Sequence, residues 1–385
     1  MMTFELGEDV SLLQRSVRDL CERQIVPHAR TWDAAGKIPP SIVRELGEMG
    51  LLGLRIPEAH GGAGLSMVAA AALVEELAAA DGSVALTVAV HNFACLGHVW
   101  RRANAQAKDE LIPRLASGEV LGAWAMAEPG VGSDPGSARA TVRHEGGEWV
   151  LRGRKSLVVQ GAAADVIVVV ASTDPEQGPE SLASFLIERT AKGVVVVDEV
   201  RTLGMRAAAS VDLRLEDVRV PEARCLARPG LAQRDMREVE ADSRIAHAAI
   251  ACGLMRAAIE AARAHARERE QFGHPIADFQ AIQWKLADMA THLDAARLLV
   301  NKAAWMRDQG QAGLEEASRA KLFAASKAVA ACSEALQIHG GYGYTEEFPV
   351  ERLLRDARYL PIAGGTDEIQ RITLSGAIAS RFGSV

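Results

Sequence analysis

The sequence predicts an α+β fold laid out as helices, then strands, then a helical bundle. Three observations carry this. Residues from about 8 to 118 read as helices. Near residue 120 the composition changes to short β-branched runs separated by turn residues. After Gly230, three long stretches each carry a single apolar stripe at helical spacing. The expected divisions are a helical domain at 1–120, a small β-barrel or sandwich domain at 121–228, and a four-helix bundle at 229–385.

In the first division a helix begins near Ser11 and carries Leu12, Leu13, Val17, Leu20 and Ile25. Pro39-Pro40-Ser41 starts another, which ends near Gly50. Met67 to Ala80 is nearly all Ala, Val and Leu around Glu75 and Glu76, so a helix there is buried on most sides. In the second division, Val142 to Arg152 reads as a hairpin turning at Gly146-Gly147. The run Val-Ile-Val-Val-Val before Ala171 is too short for a helix and rich in β-branched residues. Similar runs follow at Ser184–Ile187, Val194–Val197 and Val211–Val218. In the third division, Ile245, Ala248, Cys252, Met255, Ile259, Ala262 and Ala266 form one stripe. Ile282 to Ala303 and Ala317 to Ile338 form two more. With a last helix from about Asp367 these make a bundle of antiparallel helices, and their small residues permit close approach.

The chain has 385 residues, enough for two or three domains, with 49% apolar and 24% charged residues. Its net charge of -7 argues against a nucleic-acid partner. No apolar run approaches about 20 residues, so no membrane span is expected, and the first residues lack a signal-peptide pattern. The five cysteines are scattered without a C-x-x-C pair. This gives no metal framework and points to free thiols in a reducing cytoplasm. No G-x-G-x-x-G follows a strand and no P-loop is present, so a nucleotide cofactor would not bind through those motifs.

Four stretches carry chemistry. Glu128-Pro129-Gly130-Val131-Gly132-Ser133-Asp134 is a Gly-rich loop whose amides can approach a ligand closely. Arg269-Glu270-Gln271-Phe272-Gly273 ends the first bundle helix, and Arg269 can offer a forked contact to a pyrophosphate. Gln337-Ile338-His339-Gly340-Gly341-Tyr342-Gly343-Tyr344 ends the third; the Gly pair is a helix stop, and His339 reads as structural. Gly364-Gly365-Thr366-Asp367-Glu368-Ile369-Gln370-Arg371 opens the last helix, with acids in its first turn.

Together, in this order and spacing, these stretches resemble the acyl-CoA dehydrogenase family over nearly the whole chain. The resemblance implies a homotetramer with FAD between the β domain and the bundle, completed by a neighbouring subunit. It implies cofactor contacts at Met126, Ala127, Ser133, Leu157 and Val159. Arg269 and Phe272 would meet the cofactor of the partner subunit, and Gln337, Gly341, Thr366 and Glu368 would also bind the cofactor. Ser133 and Arg244 would contact an acyl-CoA or acyl-carrier thioester. Electrons would pass to an electron-transferring flavoprotein or to O2.

The chain departs from the family at the reacting centre. A standard member removes the α-proton with a Glu two residues before the Thr of the last helix, which here is Gly364. A minority place it just before the Arg early in the first bundle helix, which here is Ser243. Neither is a carboxylate. The Trp and Thr that cover the flavin ring and bond its N5 are Leu157 and Val159, and a further Thr is Ala127. The backbone N–H at Gly364 is retained and can still polarise a thioester carbonyl. Three outcomes follow. One is altered flavin chemistry on a thioester, such as oxygenase, oxidase or elimination activity. Another is ordinary α,β-dehydrogenation with a relocated base, for which Glu240, Asp242 and His91 are the candidates. The last is a non-catalytic subunit paired with an intact homologue.

Overall fold

The computed structural model describes residues 7–311 and 313–382. The first region contains α1 (Glu8–Leu20), α2 (Ala29–Ala35), α3 (Pro40–Glu48), α4 (Met67–Ala80), α5 (Gly82–Ala89), α6 (Gly97–Arg102) and α7 (Ala105–Ala116). Helix starts are fixed by short polar side chains. Ser66 accepts from Ala69 N–H at the start of α4, and Asn104 from Ala107 N–H at the start of α7.

The strands are β1 (Gly122–Ala125), β2 (Thr141–Glu145), β3 (Glu148–Val158), β4 (Val166–Ser172), β5 (Leu182–Glu188), β6 (Val194–Glu199), β7 (Val211–Pro221) and β8 (Cys225–Ala227). They form one sheet in the order β6-β7-β3-β2-β4-β5-β8, with β1 parallel to β4. The sheet encloses its own core of Leu151, Ile167, Phe185 and Leu213. The β2–β3 hairpin turns at Gly146 and Gly147, both with left-handed φ. β4 is buried along its whole length. Ile167 and Val169 face the sheet's core, while Val166 and Val168 pack against the first helical region. That is why it reads as an unbroken β-branched run.

The last region holds α8 (Ala232–Glu268), a two-strand ladder of β9 (Glu270–Gln271) and β10 (His274–Pro275), α9 (Gln280–Asp308), α10 (Leu314–His339), α11 (Val350–Ala357) and α12 (Asp367–Phe382). α11 was not anticipated. Nor are all bundle neighbours antiparallel. Arg244 bonds Ser318 early in α8 and α10, and His265 stacks on His339 late in both, so these two helices run parallel. The first region and the bundle share one apolar core. α4 and α8 touch backbone to backbone at Gly253, where a methyl group would press on the Glu75 carbonyl and Ala78.

The expectation that no apolar run reaches membrane-spanning length is corrected. The helical runs Gly82–Arg102 and Ala232–Glu268 are long and apolar enough by composition, but 89% and 72% of their most apolar stretches are buried inside the fold. Core packing accounts for their character.

All three regions meet at a buried carboxylate pair. Asp81 caps α5 through Ser83 and Val84 N–H, and Asp356 of α11 accepts Met205 N–H at 2.5 Å. Burial, with help from Asp81, pushes the Asp356 carboxyl up to about 7. Its folded pKa lies above the unfolded value, so the stabilised protonated form is fully present at low pH and is lost as pH rises through about 7. Asp356→Asn is therefore expected to raise the melting temperature at pH 8. The gain should be at least about 1.4 kcal/mol, the worth of one pKa unit, and should shrink towards pH 4. Thermal melts across that range check it.

Candidate active site

Two clusters of candidate residues stand apart in the contacts they make: the end of β3 with the loop after β1, and the turn before α12. Lys155 of β3 is fully buried, and its Nζ donates to Glu128 Oε1 at 2.6 Å and to the Met126 carbonyl at 3.1 Å. Burial lowers the Lys155 pKa, and the Glu128 carboxylate opposes the shift. Glu128 in turn accepts from Arg139 and Ala140 N–H. Ser156 N–H donates to the Ala127 carbonyl at 2.9 Å. The loop 126–128 is thus clamped against β3.

Beyond the clamp the backbone is forced. Leu157 and Gln160 both have left-handed φ, +56° and +55°, a conformation that costs energy and concentrates at functional sites. It is held by Asp212, which accepts Leu157 N–H, and by the Ala208 carbonyl, which accepts Gln160 N–H. Leu157 is left exposed while Val159 is buried. Among the described residues, Val159 N–H finds no protein acceptor, which is uncommon for a buried donor.

The turn before α12 is pinned from behind. Gly364 and Gly365 have φ +65° and +83°, so a side chain at either position would be strained. The Gly364 carbonyl accepts from Arg244 Nε at 3.2 Å and Gln370 Nε2 at 3.1 Å. The Gly365 carbonyl accepts from Lys321 Nζ and Gln370 Nε2, both at 2.8 Å. With both carbonyls drawn into buried donors, Gly364 N–H has no protein acceptor among the described residues. Thr366 caps α12, accepting Ile369 N–H at 3.3 Å. Glu368 is exposed, and hydrogen bonds from its own N–H and the Thr366 hydroxyl hold its carboxyl below the usual range.

Three expected roles are corrected by these surroundings. His91 is wholly enclosed. Its Nδ1 accepts Gly122 N–H and its Nε2 bonds the Leu115 carbonyl, both at 3.0 Å, so neither nitrogen is left for a substrate. Burial also pushes its pKa down to about 4. Asp242 is buried and gripped by Arg101, Arg307 and Arg55. These overcome burial and keep it below its ordinary pKa. It ties α8 to the first region and to α9. Arg244 is only 2% exposed. Besides Gly364 it donates to Ser318 Oγ at 2.8 Å and Glu240 Oε2 at 3.1 Å, so it shapes the turn rather than reaching a ligand. Glu240 remains half-buried beside it, its pKa raised by burial.

A residue absent from the sequence-based candidates lies against the turn before α12. His247 lies one helical turn after Ser243, and its Nδ1 bonds the Ser243 carbonyl at 2.7 Å. That bond makes Nδ1 the donor and leaves Nε2 as an acceptor. Among the described residues Nε2 has no protein partner, and it is not sealed from solvent. The ring packs on the Gly364 backbone, where a methyl group would lie 3.3 Å from Nδ1. Tyr359 stacks on the ring at 6.1 Å. Burial, with Lys321 and Arg244 adding to it, pushes its pKa down to about 4, so the ring is neutral near pH 7. The i+4 spacing from Ser243 was the available signal.

Ser133, Gln337 and Gly341 are exposed, and Met126, Ala127 and Ser243 are half-buried. Arg269 and Phe272 are exposed at the other end of α8, with Arg269 over the Tyr342 ring at 5.7 Å. At 1.5 Å per residue, Arg269 sits roughly 38 Å along α8 from Arg244. One chain therefore presents two separate groups of candidate residues.

Comparison with known proteins bears on both groups. Three family profiles match: acyl-CoA dehydrogenase N-terminal domain over 7–119, middle domain over 123–218, and C-terminal domain over 236–379. Probable acyl-CoA dehydrogenase YngJ of Bacillus subtilis (strain 168) is 38% identical over 375 residues, covering 97% of this chain and 99% of that protein. Butyryl-CoA dehydrogenase from Megasphaera elsdenii superposes with a TM-score of 0.95 at 32% identity, over 98% of this chain and 100% of its own. A glutaryl-CoA dehydrogenase from Mycobacterium smegmatis in complex with FADH2 gives 0.92 at 27% identity, over 97% and 95%.

Proposed function

Because the chain belongs to the acyl-CoA dehydrogenase family, we propose that it binds FAD and oxidises an acyl-CoA or acyl-carrier thioester. The observation that carries this is the pinned turn at Gly364. Its free N–H is available to a thioester carbonyl, and the buried cations behind it favour negative charge developing there. The residues present fit the cofactor. Leu157 and Val159 offer an apolar wall with an unpaired N–H to a planar ring that bears acceptors. Bound FAD would supply the hydride acceptor. The clamp of Lys155 and Glu128 holds the loop that would flank the ring, and Thr366 and Glu368 stand where the start of α12 could touch it.

Two forms of the reaction have support. Loss of the hydroxyl at Val159 and of a carboxylate at Gly364 and Ser243 supports altered chemistry of oxygenase, oxidase or elimination type. The neutral imidazole against Gly364 supports ordinary α,β-dehydrogenation with a relocated base, and this is the reading we favour. The acceptor would then be an electron-transferring flavoprotein rather than O2. Anaerobic mixing with saturated acyl-CoAs separates the forms. Bleaching of the oxidised flavin spectrum, with an α,β-unsaturated product and slow reoxidation by air, is expected. Bleaching followed by rapid air oxidation favours an oxidase or oxygenase. A colourless protein inert to every thioester would instead mark a non-catalytic subunit.

The separation of roughly 38 Å between the two groups on α8 supports an assembly in which Arg269, Phe272, Gln337 and Gly341 complete the site of another copy, most simply a homotetramer. All five cysteines are free, which suits a reducing cytoplasm.

A further inference from the structure

We infer that His247 is the base that takes the α-proton of the thioester, in place of the absent carboxylate. This rests on the dehydrogenation reading above. His247 is placed against both customary base positions at once. It bonds the backbone of Ser243, and its ring lies on Gly364, occupying space into which a side chain at 364 would first project. A side chain at 364 would begin in tight contact with the ring, its Cβ 3.3 Å from Nδ1. The bond to Ser243 fixes the tautomer, so the nitrogen without a protein partner is the one that can accept a proton.

The other nearby group is Glu240. Its carboxylate is taken by Arg244 at 3.1 Å, whose buried charge it balances. It serves as a counter-ion one turn of α8 earlier. His247 carries no such obligation.

The step balances as follows. The proton on Cα passes to His247 Nε2, and the pair it leaves becomes the second Cα–Cβ bond. Bound FAD would accept the Cβ hydrogen together with its electron pair. The acyl chain loses two electrons and becomes the α,β-unsaturated thioester. Gly364 N–H steadies the carbonyl oxygen while charge rests on it.

The test uses the holoprotein and acetyl-CoA, which has α-hydrogens but no β-carbon and so cannot be oxidised. In D2O the wild type is expected to exchange the acetyl methyl hydrogens, read by mass spectrometry. His247→Gln should slow exchange by about 10²–10⁴-fold, the range for losing a general base. Glu240→Gln, which removes the counter-ion of Arg244, should lose far less exchange than His247→Gln. His247→Ala opens a ring-sized gap beside Gly364, and added imidazoles should restore part of the lost rate in proportion to their basicity, which gap-filling alone would not give. A further readout needs no variant: the ¹⁵N resonance of His247 Nε2 should move towards the protonated position when enolisable acetoacetyl-CoA is added. No wild-type exchange, full exchange in His247→Gln, loss in Glu240→Gln alone, or an unmoved Nε2 resonance would each overturn the assignment. Flavin that stays oxidised with every saturated thioester, while exchange persists, would sink the dehydrogenation reading and leave the base in place.

Discussion

Lys155→Met is expected to destabilise the protein by about 3–5 kcal/mol, the usual cost of removing one partner from a buried ion pair. Lys155 has no exposed surface, and the Glu128 side chain it meets is nearly as enclosed. Without the ammonium, Glu128 keeps its bonds to Arg139 and Ala140 N–H but holds an uncompensated charge in the sheet. The Met126 carbonyl also loses its donor. The loop 126–128 should then loosen from β3, so the expected signature has two parts: a lower denaturation midpoint and poorer flavin retention after gel filtration. The double variant Lys155→Met/Glu128→Gln should recover part of the stability, because no buried charge remains. Urea titration of the three proteins checks this, and equal losses in single and double variants would show that the pair's charge is not the cause.

Arg244→Met should be comparably costly, at about 3 kcal/mol, and should harm the site more directly. The guanidinium fork joins α8, α10 and the turn before α12 through Glu240, Ser318 and Gly364. Methionine fills the volume but leaves Glu240 without its partner and releases one of the two donors on the Gly364 carbonyl. Gln370 alone would then hold the Gly364 carbonyl, with Lys321 still on that of Gly365. Arg244→Lys keeps the charge but cannot bridge three acceptors on three elements. It is expected to lose less stability than methionine and nearly as much flavin reduction. Comparing thermal melts with anaerobic reduction rates for both variants tests that division.

Much of the architecture was legible because its elements carry strong periodic signals. The stripes of α8, α9 and α10 and the β-branched run of β4 could hardly fold otherwise. What escaped was decided by long-range contact. α11 is short and gives little pattern, and the parallel run of α8 and α10 depends on how far each connection travels. Within the site, Gly364 and Ser243 were recognisable as departures, yet the side chain lodged between them was not. His247 belongs to a helix already assigned to packing, and only the fold brings it onto a glycine more than a hundred positions away. Asp242 and His91 drew attention as titratable residues. Their neighbours, Arg101, Arg307 and Arg55 for one and two backbone groups for the other, lie on different elements and leave no trace in local sequence. Lys155 and Lys321 were passed over for the opposite reason, since lysines seldom sit wholly inside a protein.

The distance along α8 between Arg244 and Arg269 has a thermodynamic corollary. On the proposed assembly, an isolated chain would own two incomplete halves of different pockets and no whole one. Cofactor affinity would then be a property of the association equilibrium, and simple dilution would release the yellow chromophore as surely as any mutation.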